Sequence, residues 1–221
     1  MSSFSLTAWG HAGLRLERDE RALVIDPGTF TDPRVLDGAD AVLVTHEHVD
    51  HVDVPRLVPV LTAGPGPDVW GPQPVVDLLA EAGAPADRLH AVAGGDAFDA
   101  AGFAVRVLGE RHATIHPDMA PPANVAYLVD GALLHPGDSF TPPPAGTRVE
   151  VLALPVAAPW LKLAESVDYV RQVAPRTAVP IHDAILNDAG KALVDRVVGG
   201  LADGVAYRRL SLGEPLEVSR G

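Results

Sequence analysis

The densest chemistry in the chain lies at residues 44–51, Val-Thr-His-Glu-His-Val-Asp-His, where His46, His48, Asp50 and His51 occupy four of six consecutive positions. Imidazoles and a carboxylate offer nitrogen and oxygen donors to a divalent cation, and the chain has no cysteine to offer sulfur. In an extended segment His46 and His48 project to the same side, whereas Asp50 and His51 lie past a bend. That arrangement can feed two metal positions about 3.5–4 Å apart, the spacing of paired-metal hydrolases. Capping a strand requires none of these groups, so the cluster reads as a metal site.

Further donors recur where apolar runs stop. His112 follows Phe103–Leu108, Asp138 follows the run ending at Leu134, and His182 directly follows Val179-Pro180-Ile181. In sheet-based domains with helices outside, strand-end loops gather at one edge and build the site there. Groups distant in sequence can therefore converge on residues 46–51.

The elements that must position them are predicted from apolar patterning and turn residues. Leu14 and Leu16, Ala22–Ile25 and Ala41–Val44 mark strands, the last two apolar on both faces, with a polar hairpin turn at 18–21. Gln73–Gly83 reads as a helix, with Pro74 near its start and Gly83 just past its end. Strands are expected at 103–108 and 149–154, and a hairpin at 125–129 and 132–134 turning at Asp130-Gly131. Leu163, Val167, Val170 and Ala174 form an amphipathic stripe that Pro175 ends, and Thr177–Ile181 is then a strand. Leu193, Val197 and Leu201 place a stripe on a last helix over 191–201, before a closing strand pair near 205–212 and 215–218. The proline-rich patches at 64–67, 121–122 and 142–144 are short enough for rigid loops. No repeat or low-complexity linker divides the chain, so one layered α/β domain over residues 1–221 is expected.

Composition narrows the function. Hydrophobic residues make up 47% of the 221 residues but aromatics only 5%, so the core must be aliphatic. A formal net charge of −12, from 29 acidic against 17 basic residues, opposes binding to a phosphate backbone. No stretch approaches the roughly 20 apolar residues of a membrane span, and residues 1–10 lack the basic start and apolar run of a secretory signal. A soluble cytoplasmic protein acting on a small molecule, away from membrane and nucleic acid, is the expectation; a homo-oligomer is left open.

Thr45-His46-Glu47-His48-Val49-Asp50-His51 resembles the signature of the metallo-β-lactamase fold superfamily. Other elements of that family follow in order: Val24-Ile25-Asp26-Pro27 upstream, a downstream histidine, Gly137-Asp138, and a late strand ending in His182. Trp9-Gly10-His11-Ala12-Gly13 and Leu154–Trp160 are similar to the branch containing ascorbate-6-phosphate lactonase-like proteins and related zinc-dependent hydrolases. The resemblance implies a four-layered αββα sandwich with a dinuclear site along one edge of two sheets. Carried over by position, His46, His48 and a third histidine would hold one metal. Asp50, His51 and His182 would hold the other, with Asp138 bridging and with Asp50 and His182 at the reacting centre.

The third histidine is His112 or His116, and His112, closer to the strand end, is favoured; His116 then belongs to the pocket wall or donates a hydrogen bond to a ligand. Asp26 would orient a ligand imidazole, since such rings donate their free N–H to a carboxylate or carbonyl. His11 and Trp160 are candidates for the pocket. Two divalent cations, zinc first and manganese or iron as alternatives, would lower the pKa of a bridging water from 15.7 towards about 7 for attack on a small ester, lactone or phosphoester. Three alternatives stand beside this one. A nuclease of the same fold is opposed by the charge. An iron oxidoreductase is opposed by His48, where di-iron relatives carry glutamate. A non-catalytic metal-binding protein is opposed by the filled set of ligand positions.

Overall fold

The computed structural model describes residues 3–219; Met1 and Ser2, part of the stretch read for a secretory signal, lie outside them. The expected layered α/β architecture is present as two mixed seven-stranded sheets faced by helices. The first sheet runs, edge to edge, β14 (Pro215–Ser219), β1 (Ser3–Ala8), β2 (Leu14–Arg18), β3 (Arg21–Ile25), β4 (Ala41–Leu43), β5 (Asp68–Gly71) and β6 (Leu89–Ala91). The second runs β13 (Ala206–Tyr207), β12 (Thr177–Ile181), β11 (Val151–Pro155), β10 (Leu133–His135), β9 (Ala126–Val129), β8 (Phe103–Leu108) and β7 (Ala97–Ala100).

The period-2 geometry of strands divides their side chains between three cores. Leu23 and Ile25 of β3, with Ala41 and Leu43 of β4, join Phe103, Val105, Tyr127, Val151 and Val179 between the sheets. The intervening Val24 and Val42 face outwards, where Leu57 and Leu61 of α1 (Val54–Thr62) and Val75 and Leu79 of α2 (Gln73–Glu81) cover them. On the far side Leu134, Leu152, Leu154 and Ala178 pack under α3 (Leu163–Val173) and α4 (Asp188–Leu201). The order of layers is therefore helix, sheet, sheet, helix, and β3 and β4 are apolar on both faces because both faces are covered. Among the described residues no helix is long and apolar enough to cross a membrane.

Three local expectations are corrected. The buried face of α4 carries Val194 and Val198, continued by Ala202, while Leu193 and Leu201 are exposed. Adjacent stripes on a helix differ by only about 100°, and the bulkier leucines marked the wrong one. On α3, Val173 is buried where Ala174 was expected, because Ala174 has left the helix in a left-handed conformation at φ 47°. The two closing strands do not pair: β13 extends the second sheet parallel to β12, whereas β14 pairs antiparallel with β1 in the first. Helix α1 lies where the sequence shows two prolines. Asp53 caps it by accepting the Arg56 N–H, Pro55 sits in its first turn, and Pro59 interrupts the ladder without ending it.

One buried polar contact ties the sheets together below residues 44–51. Tyr127 of β9 is fully buried and donates its hydroxyl to the Val44 carbonyl at 2.9 Å, with the Trp70 carbonyl at 3.2 Å. Removing that hydroxyl strands a buried acceptor. Tyr127→Phe is expected to lower the unfolding free energy by about 1 kcal/mol with an unchanged urea m-value; an unchanged urea midpoint would show that the contact contributes nothing.

Candidate metal centre

All the gathered donors sit on loops at one edge of the two sheets. His46, His48, Asp50 and His51 follow β4, and Asp26 follows β3. His112 follows β8, Asp138 follows β10, and His182 follows β12. After His48 the chain bends sharply, because the His48 carbonyl accepts from both the His51 and Val52 N–H groups at 2.9 and 3.0 Å. This is the bend that separates the first two histidines from Asp50 and His51.

The side chains form two adjoining groups whose ligand atoms lie within 4.8 Å of one another: His46, His48, His112 and Asp138, and then His11, Asp50, His51 and His182. Asp138 stands between them. Its Oδ2 is 3.2 Å from His112 Nε2 and 3.1 Å from His182 Nε2, and its Oδ1 is 3.1 Å from His51 Nε2. His112 is buried in the first group, whereas His116 is exposed beside Asp118 at 3.6 Å, outside both groups. His116 therefore does not line the centre. A backbone bridge between Arg111 and Ala123 and the bond from His112 N–H to the Pro122 carbonyl turn His112 inwards.

Hydrogen bonds fix which ring nitrogen each imidazole turns to the centre. His51 donates Nδ1–H to Asp26 Oδ2 at 2.7 Å, His112 to the Ala113 carbonyl at 2.6 Å, and His182 to the Ala157 carbonyl at 2.5 Å. Thr45 gives its single hydroxyl proton to Asp26 at 2.7 Å, so at 3.0 Å it accepts from His46 Nδ1–H. His51, His112 and His182 thus turn Nε2 towards the shared space, and His46 Nε2 lies 3.0 Å from His48 Nδ1. The Nε2 atoms of His51, His112 and His182 and Oδ1 of Asp138 are buried without a hydrogen-bond partner, although each nitrogen lies 3.1–3.2 Å from an oxygen of Asp138. Buried polar atoms are normally satisfied. Atoms aimed at a common point instead of at each other fit a cation held between them, and the nitrogen and oxygen donor set fits divalent metals.

The same crowding shifts the titrations. Burial, together with neighbouring imidazoles, lowers the pKa of His46 and His48. Burial opposes charge on His51 and His182 as well, but Asp138 with Asp26 raises His51 well above its ordinary value, and Asp138 with Asp50 raises His182 to about 9. Burial works against ionisation of Asp50 and Asp138 too, yet the surrounding imidazoles hold both below the usual carboxylate range.

Several residues hold the gathered donors in place, Asn124 among them without any signal in the sequence. Thr45 donates its backbone N–H to Asp26 at 2.7 Å and its carbonyl accepts from Val125 N–H, which ties the site loop to the second sheet. Asn124, fully buried, accepts the Asp138 N–H and donates to the Pro136 carbonyl, both at 3.0 Å. Gly137 between them is at φ 59°, and a Cβ there would stand 2.4 Å from Asn124 Oδ1 and 2.7 Å from Thr45 Cβ, so only glycine fits. Trp160 donates Nε1–H to Asp138 Oδ2 at 2.9 Å. Two other histidines lie outside both groups. His135 gives Nε2–H to the Ala12 carbonyl and accepts at Nδ1 from Gly137, and His90 stacks on Trp70.

The match to known proteins agrees with this geometry. A family model described as Beta-lactamase superfamily domain covers residues 5–182, which spans every donor in the two groups. The chain belongs to the beta-lactamase superfamily. It is 42% identical over 188 residues to Protein Rv0786c of Mycobacterium tuberculosis, covering 82% of this chain and 84% of that one. It is 32% identical over 149 residues to the probable L-ascorbate-6-phosphate lactonase UlaG of Salmonella heidelberg, a match spanning 58% of this chain and 42% of that protein. Its fold is shared with Igni18, a metallo hydrolase of Ignicoccus hospitalis, at a TM-score of 0.73 and 20% identity over the whole of both chains. The expected αββα architecture and the expected enzyme class, a metallo-hydrolase of this superfamily, are those of the family and its structural neighbours.

Two outcomes follow for the metal. His112→Ala should lose bound divalent metal while His116→Ala retains the wild-type content, measured by elemental analysis of purified protein; the reverse pattern would move the ligand to His116. A protonated imidazole must shed its Nε2 proton before it can bind a metal. With His182 protonated below about 9, zinc affinity should rise as pH increases from 6 to 9 and zinc uptake at pH 7 should release protons, both read by calorimetry in buffers of different ionisation enthalpy.

Proposed function

We propose that the chain is a two-metal hydrolase of a small ester, lactone or phosphoester, with zinc as the first candidate and manganese or iron as alternatives. The observation that carries this reading is the set of four buried, unpartnered atoms, on His51, His112, His182 and Asp138, turned into one space between two groups of ligands. His46, His48 and His112 would hold one ion, Asp50, His51 and His182 the other, and Asp138 would touch both. Paired divalent cations supply Lewis acidity and acidify a water to a pKa of about 7.

The protein's own residues account for the rest. Asp26 and the Ala113 and Ala157 carbonyls hold three imidazoles in the ligating tautomer before any cation arrives, so no reorganisation is left for the moment of binding. Asp138, fixed by Trp160 and Asn124, carries negative charge between the two positions. Around the Asp50 half, Phe30 packs edge-on against His11 at 5.3 Å, and Phe30, Val49 and Ile185 stand exposed on three different loops. An apolar rim beside a polar centre suits a substrate with a carbon body attached to the scissile group. The lactonase relative supports the lactone class, and the −12 charge supports a small molecule over a nucleic acid. A cytoplasmic setting completes the reading.

The test is activity on a panel of lactones, carboxylic esters, thioesters and phosphodiesters with zinc- or manganese-loaded protein. The substrate turned over by wild type should lose more than about 100-fold in kcat/KM in His48→Ala, beyond the 10–100-fold typical of residues that only orient a ligand. Turnover that survives both this change and chelation would refute a metal-dependent reaction.

A further inference from the structure

We propose that His11 is not a metal ligand but a positioning residue that holds Asp50 through Nε2–H; this rests on reading the centre as a metal site. By distance alone His11 belongs with Asp50, His51 and His182. Its hydrogen bonds set it apart from the other rings. The Ala184 backbone N–H donates to His11 Nδ1 at 3.3 Å. A neutral imidazole that accepts at Nδ1 carries its proton on Nε2, and that Nε2 lies 3.1 Å from Asp50 Oδ2. The rings of His51, His112 and His182 have the opposite arrangement, with Nδ1–H committed to the protein and Nε2 facing inwards without a partner. Both nitrogens of His11 are already engaged, and neither offers a lone pair to a cation.

The local backbone is built for this task. His11 sits in the left-handed region at φ 49°, inside a turn closed by Trp9 N–H to Gly13 and Gly13 N–H to Gly10. Its side chain is wholly buried. Its carbonyl accepts the His182 N–H at 3.0 Å, so the loop after β12 grips the residue at two points, His182 and Ala184. The ring lies 4.1 Å from that of His182. Asp50 itself is on a bend and is less buried than His11, His51 and His182, with its side chain 22% exposed. A carboxylate there needs a fixed donor if it is to face a metal in a single orientation, and the oxygen that His11 holds, Oδ2, lies 3.4 Å from His182 Nε2 on the side of the centre. The Asp50-side ion would then have Asp50, His51 and His182 from this group, together with Asp138.

The tautomer is read directly by long-range ¹H–¹⁵N correlation spectra of ¹⁵N-histidine-labelled protein, recorded without metal and with zinc. His11, assigned by its loss in His11→Gln, should show Nε2–H and an acceptor-type Nδ1 in both states. A proton on Nδ1, or a metal-shifted Nε2, overturns the proposal. Zinc titration of the variants gives the second arm. Glutamine can place an amide N–H where the imidazole Nε2–H stands, whereas alanine offers no donor. His11→Ala should weaken one of the two zinc equivalents by about 10–100-fold and leave the other unchanged, and His11→Gln should restore it. Loss of that equivalent in both folded variants would make His11 a ligand, and an unchanged His11→Ala would remove any role; either result refutes the proposal. If His11→Ala does not fold, His11→Gln decides alone, by retention or loss of that equivalent. Absence of zinc binding in wild type would defeat the metal reading itself, and the proton on His11 Nε2 would then still decide whether it holds Asp50.

Discussion

The centre depends on one carboxylate. Asp26 is fully buried where β3 ends, and three donors converge on it: the Thr45 N–H, the Thr45 hydroxyl and His51 Nδ1–H, each at 2.7 Å. A charge so placed is tolerated only when hydrogen bonds replace the water it has lost. Meeting that requirement brings the end of β4 against the end of β3 and sets the plane of His51. The effect passes on through Thr45, whose hydroxyl, having spent its proton on Asp26, accepts from His46. The Thr45 carbonyl receives the Val125 N–H, so the same residue anchors the second sheet. Two histidines of the first sheet and the seam between the sheets thus share one electrostatic constraint.

Backbone strain concentrates at the same place. Among the described residues eight non-glycine positions have positive φ. Asp19, Glu20, Ala101 and Asp130 lie in hairpin turns and Ala174 ends α3, where such angles are ordinary. The remaining three are His11, Asp26 and His182, all in the centre. A left-handed residue with a side chain costs about 1–2 kcal/mol, and it persists where surrounding contacts over-determine it. Here those contacts are identifiable: His182 donates its N–H to His11 and its Nδ1–H to Ala157, and Asp26 accepts three hydrogen bonds. The strain is local and is offset by the pairing it makes possible.

Much of this was legible in the sequence wherever the determining interactions are local. The double-faced apolar runs of β3 and β4, the Asp130-Gly131 turn and the stripe of α3 each follow from periodicity within about a dozen residues. The run from His46 to His51 could be read as metal chemistry because its donors lie within one bend. What escaped the sequence is what distance in the chain decides. The destination of β14 depends on β1, some two hundred residues earlier, and no pattern within Pro215–Ser219 encodes that partner. Helix α1 was hidden because Pro55 and Pro59 suggest a break, although one falls in the first turn and the other removes a single ladder bond. Asn124 and Thr45 look like ordinary loop polar residues until the carbonyls and carboxylate they serve are brought to them.

Imidazole chemistry explains why the gathering of histidines was readable in the sequence while the direction each ring turns was not. A sequence can show that a histidine ends a strand, but the choice between Nδ1 and Nε2 is made by whatever lies against the other nitrogen. For His51 that is a carboxylate from β3, and for His112 and His182 a backbone carbonyl. Each acceptor takes the Nδ1 proton, so Nε2 is the nitrogen turned inwards, and on a ring that is protonated there that proton is the one a cation must displace. The raised titrations of His51 and His182 fit that exchange, since protons beside Asp138 provide the positive charge that metals would supply. His11 meets a backbone N–H where its neighbours meet acceptors, and that one reversal turns a residue of the same type, in the same cluster, from binding a cation to holding the carboxylate that binds it.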